Sequence, residues 1–363
     1  MRKLLLVSFF GMTSAAAFNQ ITIDQNDFPG SDDTALVSIS DDTNLDLTET
    51  GANYTWDYSD LHISSQRIDT FFNVSDASAL YQLQFNNAFT EPNYVADFYT
   101  NLIGFDLPGA SGAGISISKP VSFVRITGTS YQNVGIGVEL NGFEVPMAAD
   151  TIDYEYELPM TFADSWSSDS YIYVDLNPAF NGIFQRYQYR TSEVDGWGSI
   201  TTKFGTFDVV RVRSEIAYDD SAYVDFGFGG TWLELPTPDE VVYTWWSEGN
   251  KVPIMKVVAQ VVGGNETITR VEFKDQSRNL AGIEETENFA GQIYPNPANG
   301  IVNLTFDAGV DQVIIYNVAG EIVYQNVVTE TVLNIDVQTW ISGVYLVKLI
   351  GEESVSSTKL IVE

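Results

Sequence analysis

Phe204-Gly205-Thr206-Phe207-Asp208-Val209-Val210-Arg211-Val212-Arg213 is the stretch that sets the fold class. An aromatic residue and glycine open it and β-branched residues fill it, a composition that suits a pleated strand. In a regular strand, alternate side chains point to opposite faces. Phe207 and Val209 then share one face, and Val210 and Val212 the other. Apolar residues on both faces predict a strand covered on both sides, or one bulged near Val209 and Val210.

The neighbouring segments extend the pattern. Upstream, Asp195-Gly196-Trp197-Gly198 is a turn, Phe184 to Tyr189 mixes aromatic and basic residues, and Tyr171-Ile172-Tyr173-Val174 is a strand. Tyr154, Tyr156 and Leu158 fall on one side of a further strand stopped by Pro159. Downstream, Val241 to Trp246 and Val257 to Val262 complete the run. Aromatics reach 13%, and long stretches of helical period are missing. The expectation is an all-β chain. A large β-sandwich or jelly-roll-like cargo region over 18–275, with a subdomain break near 150, precedes a small C-terminal β-sandwich over 293–363. The Gly-rich stretch from Asn101 to Gly114 reads as a loop, without the Gly-Lys-Ser/Thr end of a phosphate cradle.

Residues 1–17 have the order of an export signal: Arg2 and Lys3, an apolar run from Leu4, then Ala15 and Ala17. The run falls short of the roughly 20 residues that span a bilayer, and no later one reaches that length. Residues 276–292 are polar and acidic and read as a linker, with processing expected near 283–293.

After the linker come Tyr294-Pro295-Asn296-Pro297, then Ile315-Tyr316-Asn317-Val318-Ala319-Gly320, then Gly343-Val344-Tyr345-Leu346-Val347-Lys348-Leu349, and finally Lys359-Leu360-Ile361-Val362. In this order, the blocks resemble the type A C-terminal sorting domain of the type IX secretion system, found in Bacteroidota. The resemblance implies export across the inner membrane, then outer-membrane passage by means of this tail. It also implies the secretion machinery as partner, and a mature protein either released or held at the cell surface. Tyr294, Pro295, Asn296, Pro297, Gly320, Gly343, Tyr345 and Lys348 carry the motif. More loosely, Gly51 to Leu61, Asp195 to Val212 and Tyr243 to Pro253 resemble a recurring region of uncharacterised secreted Bacteroidota proteins.

A formal net charge of −32 argues against nucleic acid and anionic membrane surfaces as partners. Without cysteine there is no disulfide, thiolate metal site or Cys nucleophile, and a single histidine, His62, rules out multi-imidazole metal centres. His62 lacks an accompanying Gly-x-Ser-x-Gly elbow, so it reads as structural. A carboxylate-pair glycosidase needs only two carboxylates at a set separation across a sugar, and among the many acidic residues Glu155, Glu157 and Glu248 stand out only for their aromatic surroundings. Asp42, Asn44 and Asp46 are the candidate ligands for calcium, although Leu47 stands where a calcium loop has glycine. No other cofactor is called for. Trp232, Trp245 and Trp246 are candidates for stacking on sugar rings, with Trp245 and Trp246 on opposite faces of a strand and one of them outward. The reading is a non-enzymatic module for polysaccharide or other matrix. The alternatives are a secreted glycoside hydrolase and a purely structural surface protein.

Overall fold

The computed structural model describes residues 20–105, 115–177, 181–225, 229–278, 291–306, 310–318, 320–328, 330–351 and 355–363. The export signal expected at 1–17, residues 106–114 of the Gly-rich stretch and most of the expected linker lie outside them. The chain divides into two compact units, Met1–Arg278 and Asn279–Glu363.

The large unit is built on strands, as the all-β reading requires. They are β1 (Thr34–Ser40), β2 (Tyr54–Tyr58), β3 (Ser65–Thr70), β4 (Phe98–Asn101), β5 (Ile117–Thr127), β6 (Ser130–Leu140), β7 (Phe143–Glu157), β8 (Ser165–Asp175), β9 (Gly182–Thr202), β10 (Gly205–Val224), β11 (Thr231–Leu235), β12 (Glu240–Trp246), β13 (Met255–Val262) and β14 (Asn265–Lys274). Among the described residues one α-helix occurs, α1 (Ala79–Phe85), capped by the Ser78 hydroxyl. It stacks Phe85 on Phe123 at a centroid distance of 3.9 Å.

The strands form one 14-stranded sheet in the order β3-β1-β14-β13-β12-β10-β9-β8-β7-β6-β5-β4, with β11 beside β10 and β2 beside β9. The β2–β9 pair is parallel. Its two outermost strands meet: Phe72, just after β3, and Tyr99 in β4 exchange backbone hydrogen bonds of 2.8 and 3.0 Å, and their rings stack. The sheet therefore curls back on itself, and opposite walls of one sheet face each other across an interior. Joining the edges also removes exposed pairing sites. Residue 150, where the sequence suggested a break, lies inside β7, which pairs with β6 and β8.

The stretch from Phe204 to Arg213 forms the start of β10, covered on both faces as expected. Val209 packs outward with Trp56, Trp245 and Phe273. Val210 and Val212 pack with Phe28, Tyr156 and Trp246. The bulge lies on the neighbouring strand: Arg211 pairs with Gly196 and Val212 with Val194, which leaves Asp195 of β9 as the extra residue.

Leu47, Trp56 and Leu61 cover the outer face of β12 to β14. Arg211 fastens this cover. Its guanidinium pairs with Asp195 at 2.6 and 2.8 Å, donates to the Leu47 carbonyl at 2.9 Å, and lies over the Trp56, Tyr243 and Trp245 rings. Phe28 is fully buried against Tyr131, Tyr156 and Trp246, with centroids 5.1, 5.6 and 4.5 Å away.

The small unit comprises β15 (Gly291–Tyr294), β16 (Ile301–Phe306), β17 (Val310–Tyr316), β18 (Ile322–Val327), β19 (Val332–Asp336), β20 (Gly343–Gly351) and β21 (Val355–Val362). They form two sheets, β15-β16-β19 and β18-β17-β20-β21. Alternate residues of both contribute to one core, including Val302, Leu304, Val313, Ile315, Val347 and Leu360.

Candidate functional site

Trp245 and Trp246 do point to opposite faces of β12, but neither faces solvent: they are 0% and 4% exposed. Trp245 lies beneath the Trp56 cover and Trp246 against Phe28. The expectation that one of them is outward is corrected, because two separate segments cover the two faces. Trp232 differs. It is 46% exposed on β11, opposite Tyr223 of β10, with ring centroids 5.7 Å apart.

The outer wall of β8 and β9 carries a group of tyrosines that the sequence reading did not assemble. Tyr171 and Tyr187 are directly opposite in the β8–β9 register and stack at 4.3 Å with an interplanar angle of 22°. Tyr173 follows two residues along β8 and Tyr189 two along β9, both exposed. Ile172, Gln188 and Arg190, which alternate with them, line the interior instead. From the Tyr173–Gln185 pair to the Asp169–Tyr189 pair is four residues of strand, about 13 Å. Gln185, Asp169 and Asp219 of β10 share this face by register and supply hydrogen-bonding groups between the rings. Burial, with the hydrogen bond and charge of Tyr187, pushes the Tyr171 hydroxyl up to about 12. Tyr223 and Trp232 continue the outer face across β10 and β11. The arrangement offers flat apolar rings with polar tips, the surface a sugar chain stacks on.

The other candidates are dispersed. Asp42 accepts the His62 backbone N–H at 2.6 Å, and Asp46 accepts from the Thr48 N–H and hydroxyl at 3.0 and 2.6 Å. Those Thr48 bonds hold the Asp46 carboxyl below its ordinary range. Asn44 lies with Asp42 on the same shallow depression. Among the described residues no three His, Asp or Glu side chains are grouped to hold a metal ion. His62 Nδ1 lies 2.7 Å from Asp41 Oδ1, and this contact raises the imidazole above its usual value. Glu157 and Glu248 are exposed on the surface, whereas Glu155 lines the interior.

In the small unit, the sorting-motif residues take structural positions. Asn296 Nδ2 donates to the Lys359 carbonyl at 2.7 Å and its Oδ1 accepts from Ile361 N–H at 2.9 Å, so Asn296 grips the last strand. Tyr294 closes β15, and Pro295 and Pro297 flank Asn296. Gly320 has φ +81, a left-handed turn position that glycine occupies without strain. Gly343 opens β20 opposite Val362. Buried Tyr345 donates to the Ile341 carbonyl at 2.6 Å, and Lys348 is partly covered in the same strand.

Residues 292–363 match the model of the secretion system C-terminal sorting domain. The chain thus carries a type IX sorting signal, which implies contact with the secretion machinery and a secreted or cell-surface destination by way of the outer membrane. No curated protein matches the chain. Among solved structures, one match is PorZ, described as an essential bacterial surface component of the type-IX secretion system of human oral-microbiomic Porphyromonas gingivalis. It is 11% identical, covers 73% of this chain and 61% of that one, and has a TM-score of 0.19. No helix among the described residues is long and apolar enough to cross a membrane.

Proposed function

We propose that the large unit is a non-enzymatic glycan- or matrix-binding module, delivered by the sorting signal to the cell surface or released beyond it, and that the tyrosine face of β8 and β9 is its binding surface. The observation that carries this reading is the row of exposed Tyr173, Tyr187 and Tyr189 with half-buried Tyr171, stacked at its centre and flanked by Gln185, Asp169 and Asp219. A run of exposed aromatics on a flat wall costs solvation, and such patches mark interaction surfaces. Core packing does not require these rings outside, because the cores of this unit are filled by other residues. Trp232 and Tyr223 extend the same wall for a longer chain.

The test is retention of the full chain on a panel of insoluble polysaccharides. Retention without new reducing ends is expected. Tyr187→Ala and Tyr189→Ala are each expected to weaken it about tenfold, the loss of about 1.4 kcal/mol of stacking. Unchanged retention in both variants would exclude this face. New reducing ends would turn the reading to hydrolysis.

A further inference from the structure

Beside its apolar clusters, the interior of the large unit holds a group of buried charged side chains. Most of its charges are matched. Arg190 meets Asp153 at 2.8 and 3.1 Å, with Gln188 also on Asp153 at 2.7 Å. Arg67 meets Glu272 at two distances of 2.8 Å and Asp69 at 2.6 Å.

Two adjoining cavities of about 210 and 220 Å³ lie among these pairs, and the wall they share consists of Leu102, Ile103, Glu155, Tyr156, Lys256 and Arg270. Two of the charges on this wall, Lys256 and Glu155, lack a close partner. Among the described residues, no acceptor lies within hydrogen-bonding or ion-pairing distance of the Lys256 ammonium, and no donor lies on the Glu155 carboxylate. Arg270 donates Nη1 to the Ile103 carbonyl at 2.9 Å, but its buried Nε, though 3.1 Å from Glu272 Oε1, is out of line for a hydrogen bond. Half-enclosed charges without partners are costly and call for a counter-group.

Glu155 is there because of a defect in the sheet. Tyr131 and Gln132 of β6 pair with Tyr156 and Tyr154 of β7, so Glu155 is the extra residue of a bulge. A bulge re-aims a side chain, and this one brings both Glu155 and Tyr156 to the cavity wall. The first cavity reaches the surface beside Asn101, Ile103 and Lys251, all exposed.

A lysine ammonium without a close acceptor, a buried arginine Nε without a hydrogen bond and a carboxylate without a donor on one wall are complementary to a ligand bearing both signs. We propose that this cavity binds a small zwitterion with the charge pattern of a free α-amino acid, its carboxylate on Lys256 and Arg270 and its ammonium on Glu155. The hydroxyls of Tyr156 and Thr244, 3.5 Å apart, and the Trp246 ring lie on the same cavity for the remainder of the ligand. The site is separate from the tyrosine face and does not depend on it.

The test is calorimetric titration of the full chain with the L-amino acids, with acetate and methylammonium as half-ligands and glucuronate as a hydroxyl-bearing anion. At least one amino acid is expected to bind at least tenfold more tightly than either half-ligand. Glu155→Gln is expected to weaken that amino acid at least tenfold and leave acetate unchanged. Lys256→Met is expected to weaken both. Acetate or glucuronate binding as tightly as every amino acid would overturn the proposal, as would the absence of binding by any amino acid. If a variant fails to fold, the half-ligand comparison on the unaltered chain decides alone.

Discussion

Replacing Arg211 with methionine should detach the cover over β12 to β14. The guanidinium is 1% exposed, pairs twice with Asp195, and donates to the Leu47 carbonyl. Methionine keeps much of the apolar contact with Trp56, Tyr243 and Trp245, so the loss is chiefly electrostatic. It strands the Asp195 carboxylate and a buried carbonyl, and breaking one side of a buried pair costs about 3–5 kcal/mol. With a urea dependence of about 3 kcal/mol per molar for a unit of this size, the unfolding midpoint should fall by about 1–1.7 M. Tryptophan fluorescence is the readout, because Trp56 and Trp245 sit beside the guanidinium with centroids 6.1 Å apart. Asp195→Asn should also destabilise, and the double variant should lose less than the two single losses added together. Arg211→Lys should not restore the midpoint, since an ammonium cannot bridge the carboxylate in two places. A midpoint shift below about 0.3 M for Arg211→Met would refute the reasoning.

Glu272 is buried, which opposes its charge, yet the hydrogen bond from Arg67 and the charges of Arg270, Lys256 and Arg67 draw its carboxyl below the ordinary 4.5. A depressed folded value means the stabilisation is complete above 4.5 and is lost as pH falls through the folded value. Melting temperature should therefore drop on acidification below that point, and Glu272→Gln should flatten the drop while lowering stability at neutral pH. A variant with the parent's acid profile would show that other carboxylates govern it. In the small unit, Asn296→Ala removes both side-chain bonds to β21, at a cost of about 1–2 kcal/mol. Hydrogen exchange at the Ile361 amide should accelerate about tenfold or more, and an unchanged rate would show that the strand is held without Asn296.

The strand content was readable because alternation and turn residues are local. The doubly covered start of β10 followed directly from Val209, Val210 and Val212. What was not readable depends on which segment covers which face. The pair Trp245–Trp246 gives opposite orientations, but nothing in β12 reports that Trp56 covers one side and Phe28 the other. The tyrosines were harder. Tyr187-Gln188-Tyr189-Arg190 reads as aromatic-in and polar-out under the usual alternation, yet here Gln188 and Arg190 point inward and are satisfied by Asp153. A strand pattern fixes which residues share a face and leaves open which face is the inside. The bulge at Glu155 defeated the period itself: Tyr154 and Tyr156, grouped by sequence spacing, part company, with Tyr154 42% exposed and Tyr156 buried. The sorting unit was legible because its motif blocks stand in a fixed order along the sequence, whereas the grip of Asn296 on Lys359 and Ile361, 63 and 65 residues away, was not.

The position of β1 between β3 and β14 has a consequence for the order of events during synthesis. Residues 37–40 pair with residues 271–274, so the first strand waits for the last. Until β14 exists, β1 has only β3 on one side and an open edge on the other. Local hairpins such as β5–β6, β8–β9 and β9–β10 can form early, whereas joining β1 to β14 is a long-range step of the slow kind. The large unit is thus a ring whose clasp is the final piece of chain before the sorting unit, and a chain cut short anywhere ahead of Asn265 carries an unclasped edge.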